Sequence, residues 1–258
     1  NKDVYEWHVK QFGGPVTTVK DEAGIARKVT PLLFQDFDGD QLYRAEYDAE
    51  QDEILRIAKV SKELAEHWMR EYGVPFPDPI PSYYYGMHPE TNQAVNHETR
   101  VINMFHPTKY MKQADRHILK ADLKTAHTLQ GDCPQIYSVI AHMLGYHDEA
   151  IARFINWLAY IWQFRKKTKT GWMLHGTEGT GKGYFFNNVV RPLFGQNAVM
   201  KTLERIADDQ FNAWEEAALI VMMDEFNIAN AASGLVKAAN KLKNMITEPK
   251  ATLRKMRL

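Results

Sequence analysis

Gly176-Thr177-Glu178-Gly179-Thr180-Gly181-Lys182-Gly183 is the stretch that decides how this chain is read. It fits G-x-x-x-x-G-K, the pattern of a phosphate-binding loop, up to its final hydroxyl position. Glycines at these spacings let consecutive backbone N–H groups turn inward around phosphate oxygens. A helix beginning at the lysine then points its positive end at them. Lys182 is the mobile point charge expected to reach the β- and γ-phosphates. All eight residues are candidate nucleotide contacts. The pattern arises by chance in roughly one chain in fifteen of this length, so its surroundings have to carry the assignment.

They do. Trp172-Met173-Leu174-His175 is a short apolar run entering the loop, expected to be a strand, and Lys182 to Val190 reads as a helix that stops at Pro192. Ala217 to Met223 is continuously apolar, as expected of a strand buried on both faces of a parallel sheet. It closes on Asp224-Glu225, at the strand end where an α/β sheet presents its ligands. Asp224 is the expected Mg²⁺ ligand, directly or through water, and Glu225 the base that orients and deprotonates the attacking water. Asn227 is a further candidate facing the γ-phosphate. The fold expectation is an α/β P-loop NTPase core with a parallel sheet, and the expected cofactors are ATP and Mg²⁺. One residue breaks the pattern: Gly183 stands where a Ser or Thr hydroxyl would bind Mg²⁺. Either Thr180, a water or the carboxylates replace it, or metal affinity is weakened.

Upstream, Gln113 to Lys167 has helical spacing, with Asp148 a candidate N-cap and Ile151, Phe154/Ile155, Leu158 and Ile161/Trp162 forming one apolar stripe. Arg165-Lys166-Lys167 either touches DNA or, the more usual use, is the solvated end of that helix, with the charge its dipole favours. Ala49 to Tyr72 also reads as a helix, from Ile54, Ile57/Ala58, Leu64/Ala65, Trp68 and Tyr72, with Gly73 as its stop. Val16–Val19 and Gln41–Arg44 are candidate short strands. Five of the eleven prolines fall between Pro75 and Pro89, which implies an extended connector. Beside it, Tyr83, Tyr84 and Tyr85 either stack on bases or pack this segment onto its own domain, the second being the more usual use. The resulting division is 1–99 as an accessory α+β segment, 100–170 as a helical domain and 171–258 as the nucleotide-binding core.

Composition sets bounds. The 258 residues carry 32 basic and 32 acidic side chains, 45% hydrophobic residues and 25% charged, ordinary for a globular protein and contrary to disorder or coiled coil. Zero net charge excludes any case for nucleic acid from bulk charge, so such a partner needs a local basic patch. Seven Lys or Arg against the single acidic Glu248 between Lys237 and Arg257 either supply one or form an ordinary basic surface or frayed end. The lone Cys133 removes internal disulfides and cysteine-rich zinc sites. No run reaches the ~18–20 apolar residues of a membrane span, and Asn1-Lys2-Asp3-Val4-Tyr5-Glu6 is not a signal peptide. A soluble cytoplasmic protein is expected, and the missing initiator Met suggests a piece of a longer one.

These motifs resemble the helicase part of phage and plasmid primase-helicases, a branch of the superfamily 3 helicases. Beyond the loop and Met222-Met223-Asp224-Glu225-Phe226-Asn227, the resemblance rests on three segments. They are Arg100-Val101-Ile102-Asn103-Met104-Phe105-His106-Pro107, Phe154 to Gln163, and Leu242-Lys243-Asn244-Met245-Ile246-Thr247-Glu248-Pro249-Lys250. It covers roughly 100–258 and implies an AAA+-like core in a hexameric ring, with ATP between subunits and single-stranded DNA in the centre. Lys243, Lys250, Arg254 and Lys255 are the DNA-facing candidates it implies. It also implies a primase-polymerase domain upstream on the same full-length chain, and host cytoplasm if the chain is phage-encoded. The chain ends at Leu258, before the polar sensor strand and arginine finger of such motors, so poor hydrolysis by the 258 residues alone is expected.

Other chemistries fall away. His142-x₄-His147 has zinc-like spacing but no cysteine pair, and Asp36-Phe37-Asp38-Gly39-Asp40 has its glycine too early, and Tyr47 at the twelfth position, for a calcium loop. Two rivals to an ATP-driven motor stay open: a nucleotide-binding ring or DNA-loading scaffold that hydrolyses weakly, and a small-molecule P-loop kinase.

Overall fold

The computed structural model describes residues 17–21, 23–37, 41–113, 129–166, 168–177, 179–202 and 218–224, with single positions at 240, 243, 244 and 246. The chain divides into two compact units, Asn1–His106 and Pro107–Leu258.

The first unit is built on a mixed sheet. Its strands are β1 (Thr17–Lys20), β2 (Ala26–Asp36), β3 (Leu42–Asp48), β4 (Glu53–Val60), β5 (Ser82–Gly86), β6 (Val95–Asn96) and β7 (Val101–Asn103). They lie in the order β4-β3-β2-β5-β7-β6, with β1 beside β2. β2–β5 and β5–β7 are parallel and the other pairs antiparallel. Side chains alternate across the sheet. Leu32, Phe34, Tyr43, Ala45, Tyr47, Ile54, Tyr83 and Ile102 form one buried cluster. On the other face Leu33 packs under helix α1 (Lys62–Glu71) through Ala65, Trp68 and Met69. Pro31 sits in β2 between the stretch paired to β1 and the stretch paired to β5. A residue without an N–H is tolerated where that edge has no partner strand.

The helix expected over Ala49–Tyr72 is half strand. Glu53–Val60 is β4, and the helix starts only after Ser61, whose hydroxyl caps it by accepting from Leu64 N at 3.3 Å. The cause is a bulge. Tyr47 pairs with Ile54 but Glu46 pairs with Arg56, so Leu55 is an extra residue in β4. That puts Ile54 and Ile57 on the same face of a strand at a spacing of three, which imitates a helical period. Tyr83, Tyr84 and Tyr85 belong to β5: Tyr83 is in the buried cluster, Tyr85 packs against it, and Tyr84 is exposed beside Phe37, ring centroids 4.6 Å apart.

In the second unit α2 (Lys109–Gln113), α3 (Pro134–Met143) and α4 (Asp148–Phe164) precede the glycine loop. Asp148 is the first helical residue rather than the cap; His147 occupies that position with no side-chain bond, and Asp148 and Glu149 face the positive end of the dipole. Within the stripe, Ile151, Phe154 and Ile161 are fully buried. Arg165 is not a solvated helix end. It closes α4 in the left-handed conformation at φ 51° and is only 4% exposed.

Trp172–His175 lies outside the described strands, and Met173 is among the most exposed apolar residues. The strand paired with β9 (Ile220–Asp224) is β8 (Ala198–Thr202), parallel to it and in register from Ala198–Ile220 to Thr202–Asp224. β9 starts three residues later than expected, and Val221, Met222 and Met223 are half-buried rather than sealed. After the loop the helix does not stop at Pro192. It runs as α5 (Lys182–Phe185), a π turn over Phe186–Val190 and α6 (Arg191–Phe194). Arg191 N bonds to Phe186 O across the wider turn, which loosens the ladder just where a proline would otherwise clash. Among the described residues no helix is long and apolar enough to cross a membrane.

Candidate nucleotide site

Two glycines give the loop its shape. Gly179 at φ 80° and Gly181 at φ 88° occupy the left-handed region that other residues pay to enter. Gly181 is also the N-cap of α5, and its carbonyl accepts the first helical bond, from Phe185 N at 2.8 Å. A Cβ at Gly176 would meet Thr180 Oγ1 at 3.7 Å and Lys182 Nζ at 3.9 Å, ordinary van der Waals contact, so steric room does not require glycine there.

Lys182 folds back over this ring of atoms. Its Nζ donates to Thr180 Oγ1 at 2.9 Å, Thr177 O at 3.2 Å and Gly176 O at 3.4 Å. Three partners match the three donors of an ammonium. Thr180 in turn donates its hydroxyl to Thr177 O at 3.2 Å. Around Gly183 there is open space, with nothing within 4 Å of a Cβ, so a hydroxyl-bearing side chain fits there.

Aromatic residues brace the loop from both ends. Phe154 of α4 meets Trp172, before the loop, edge-on at 5.2 Å and Phe185, after it, at 5.7 Å, while Trp157 stacks on Phe154 at 6.0 Å. Trp157 Nε1 donates to Thr168 Oγ1 at 3.0 Å, tying down the segment between α4 and Trp172. Val139 of α3 lies 3.8 Å from the Cβ position of Gly181. The available signal was an aromatic residue close before and close after the glycines.

The structure brings Gly176, Thr177, Gly179, Thr180, Gly181, Lys182 and Gly183 together in one loop. Asp224 ends β9, opposite Thr202 of β8, and its backbone alone is described. Lys243 is exposed in a helical position. Glu178, Glu225, Asn227, Lys250, Arg254 and Lys255 lie outside the described residues.

Residues 174–258 match the model of a family described as of unknown function, DUF5906. Over 171 residues the chain is 28% identical to the DNA primase-polymerase of Nitratiruptor phage NrS-1, covering 66% of this chain and 22% of that protein. The chain thus spans about a fifth of that relative's length. Two apo structures of the NrS-1 C-terminal region superpose with TM-scores of 0.61 and 0.63 at 21% and 22% identity. Each superposition covers 86% of this chain, and 48% and 49% of theirs. The fold is therefore an α/β arrangement of mixed sheet and helices similar to that C-terminal region.

Proposed function

We propose that this chain is the ATP-binding helicase or translocase module of a phage or plasmid DNA replication protein. In this reading it is a P-loop NTPase of the AAA+-like class that couples ATP hydrolysis to movement on single-stranded DNA as a hexameric ring. The observation that carries the reading is the glycine loop: two left-handed glycines lead into a helix whose first residue, Lys182, keeps its ammonium inside the loop. Similarity to a phage primase-polymerase supports a place in DNA replication. Lys182 and the loop amides bind the triphosphate, Asp224 holds Mg²⁺ and Glu225 activates water. Lys243, Lys250, Arg254 and Lys255 face the DNA. A primase-polymerase domain shares the full-length chain.

The test is ATP hydrolysis with and without single-stranded DNA, for the wild type and Lys182→Ala in the full-length protein. DNA-stimulated turnover that falls by about 10²-fold in the variant is expected, as for loss of a group that stabilises developing charge. Equal rates in the two proteins would sink the reading. Gly183, in place of a metal-binding hydroxyl, favours a second one: a nucleotide-binding ring that rarely hydrolyses, serving as a DNA-loading scaffold. Tight ATP binding, with turnover that DNA does not raise, distinguishes it.

A further inference from the structure

The loop contains a hydroxyl with two bonds that no phosphate contact explains. Thr180 Oγ1 accepts from Lys182 Nζ at 2.9 Å, the shortest of the three bonds that ammonium makes, and donates to Thr177 O at 3.2 Å. The other two partners of Lys182 are backbone carbonyls. They follow from the course of the loop and are present with any side chain at 180. Among the described residues Thr180 is the only side-chain partner of Lys182, so it is the element that sequence can tune.

We infer that Thr180 is a positioning residue, which presets Lys182 for an incoming polyphosphate by bridging its ammonium to the Thr177 carbonyl. The inference rests on the nucleotide-binding reading above and specifies how the lysine is held. A lysine stem loses much rotamer freedom when it is fixed. A lysine already fixed in the empty loop does not lose that freedom when nucleotide arrives. The weakest of its bonds, 3.4 Å to Gly176 O, is the one a phosphate oxygen replaces, and the 2.9 Å bond to Thr180 persists. The hydroxyl orients the lysine and does not substitute for the metal-binding group absent at Gly183.

The experiment measures ATP affinity of the full-length protein by calorimetry, with Mg²⁺ and with EDTA, for the wild type, Thr180→Val, Thr180→Ser, Lys182→Ala and the Thr180→Val/Lys182→Ala double variant. Thr180→Val, isosteric but without the hydroxyl, is expected to weaken binding about tenfold, the usual effect of a hydrogen bond to a charged group. Thr180→Ser is expected to restore wild-type affinity within about twofold. The loss should remain in EDTA and vanish in the Lys182→Ala background, because without the ammonium the hydroxyl has nothing to orient. Unchanged affinity of Thr180→Val overturns the inference, as does failure of serine to rescue it. A loss confined to Mg²⁺ also overturns it and makes Thr180 a metal contact; an equal loss with or without Lys182 makes it merely structural. A wild type that binds no ATP overturns the nucleotide reading together with this one. A wild type that binds, paired with an unaffected Thr180→Val, overturns this one alone.

Discussion

Arg27 in the first unit and Lys182 in the second are both cations with several oxygen partners, yet their surroundings are opposite in kind. Arg27 is gripped by carboxylates. Its Nε donates to Asp48 at 2.7 Å and an Nη to Glu53 at 2.8 Å, with Asp21 at 3.6 Å. Asp48 also accepts from Glu50 N and Gln51 N, both at 3.0 Å, so the pair fastens β2 to the turn between β3 and β4. The hydrogen bond to Asp48 leads in raising the Arg27 pKa, with burial opposing. Among the described residues Lys182 is held by neutral oxygens, two carbonyls and one hydroxyl. A cation matched by anions is committed to the fold, whereas one held by dipoles keeps its full charge for an incoming anion.

The largest expected effect breaks the committed cation. Asp48→Ala removes the shortest of Arg27's carboxylate contacts and leaves two turn amides without their acceptor, with the Asp48 side chain only 3% exposed. A loss of about 3 kcal/mol in denaturant unfolding is expected, and a change under about 1 kcal/mol would end the contrast. Next is Gly195→Ala in the second unit. At φ 59° and ψ −133° this glycine has a backbone that other residues avoid, and a Cβ would lie 2.9 Å from Thr108 Cγ2. About 2 kcal/mol of destabilisation follows, read as a lower denaturation midpoint.

A smaller effect depends on pH. Burial pushes the His97 pKa down to about 4 from its usual 6.5, and its Nδ1 shares a 2.8 Å hydrogen bond with the Tyr83 hydroxyl. The unfolded chain therefore binds more protons at this site between those two values, and folding stability falls as pH drops from about 6.5 to about 4. His97→Gln should flatten part of that slope in melting temperature. A variant slope identical to wild type would remove His97 from the account. The smallest effects belong to the loop. Lys182→Ala and Gly183→Ser should each change stability by no more than about 0.5 kcal/mol, the first because its bonds to Gly176 and Thr177 are exposed and the second because the site is open. Gly183→Ser should, however, strengthen the Mg²⁺ dependence of ATP binding. Unaltered Mg²⁺ dependence would weaken the idea that the missing hydroxyl limits the site.

What could be read from the sequence follows the same division. The loop's glycines, the helix starting at Lys182 and the strand ending at Asp224 were legible because each depends on neighbouring residues alone. β2 was hidden by Pro31, which argues against a strand unless the unpaired edge is known. β4 was hidden by its bulge at Leu55, since period is the primary cue and the bulge counterfeits it. β8 is five ordinary residues, each paired with one twenty-two positions further on. The hydroxyl of Thr180 is a matter of angstroms, and no spacing rule announces it.

The π turn after the loop has a geometric consequence. A five-residue step in a 3.6-residue helix amounts to one inserted residue, which advances the phase of everything downstream by about 100°. Phe194, 2% exposed and edge-on to Trp162 at 5.3 Å, owes its direction to that offset. Deleting one residue between Phe186 and Val190 would straighten the helix and swing Phe194 a quarter-turn away from Trp162, leaving the loop's own sequence untouched.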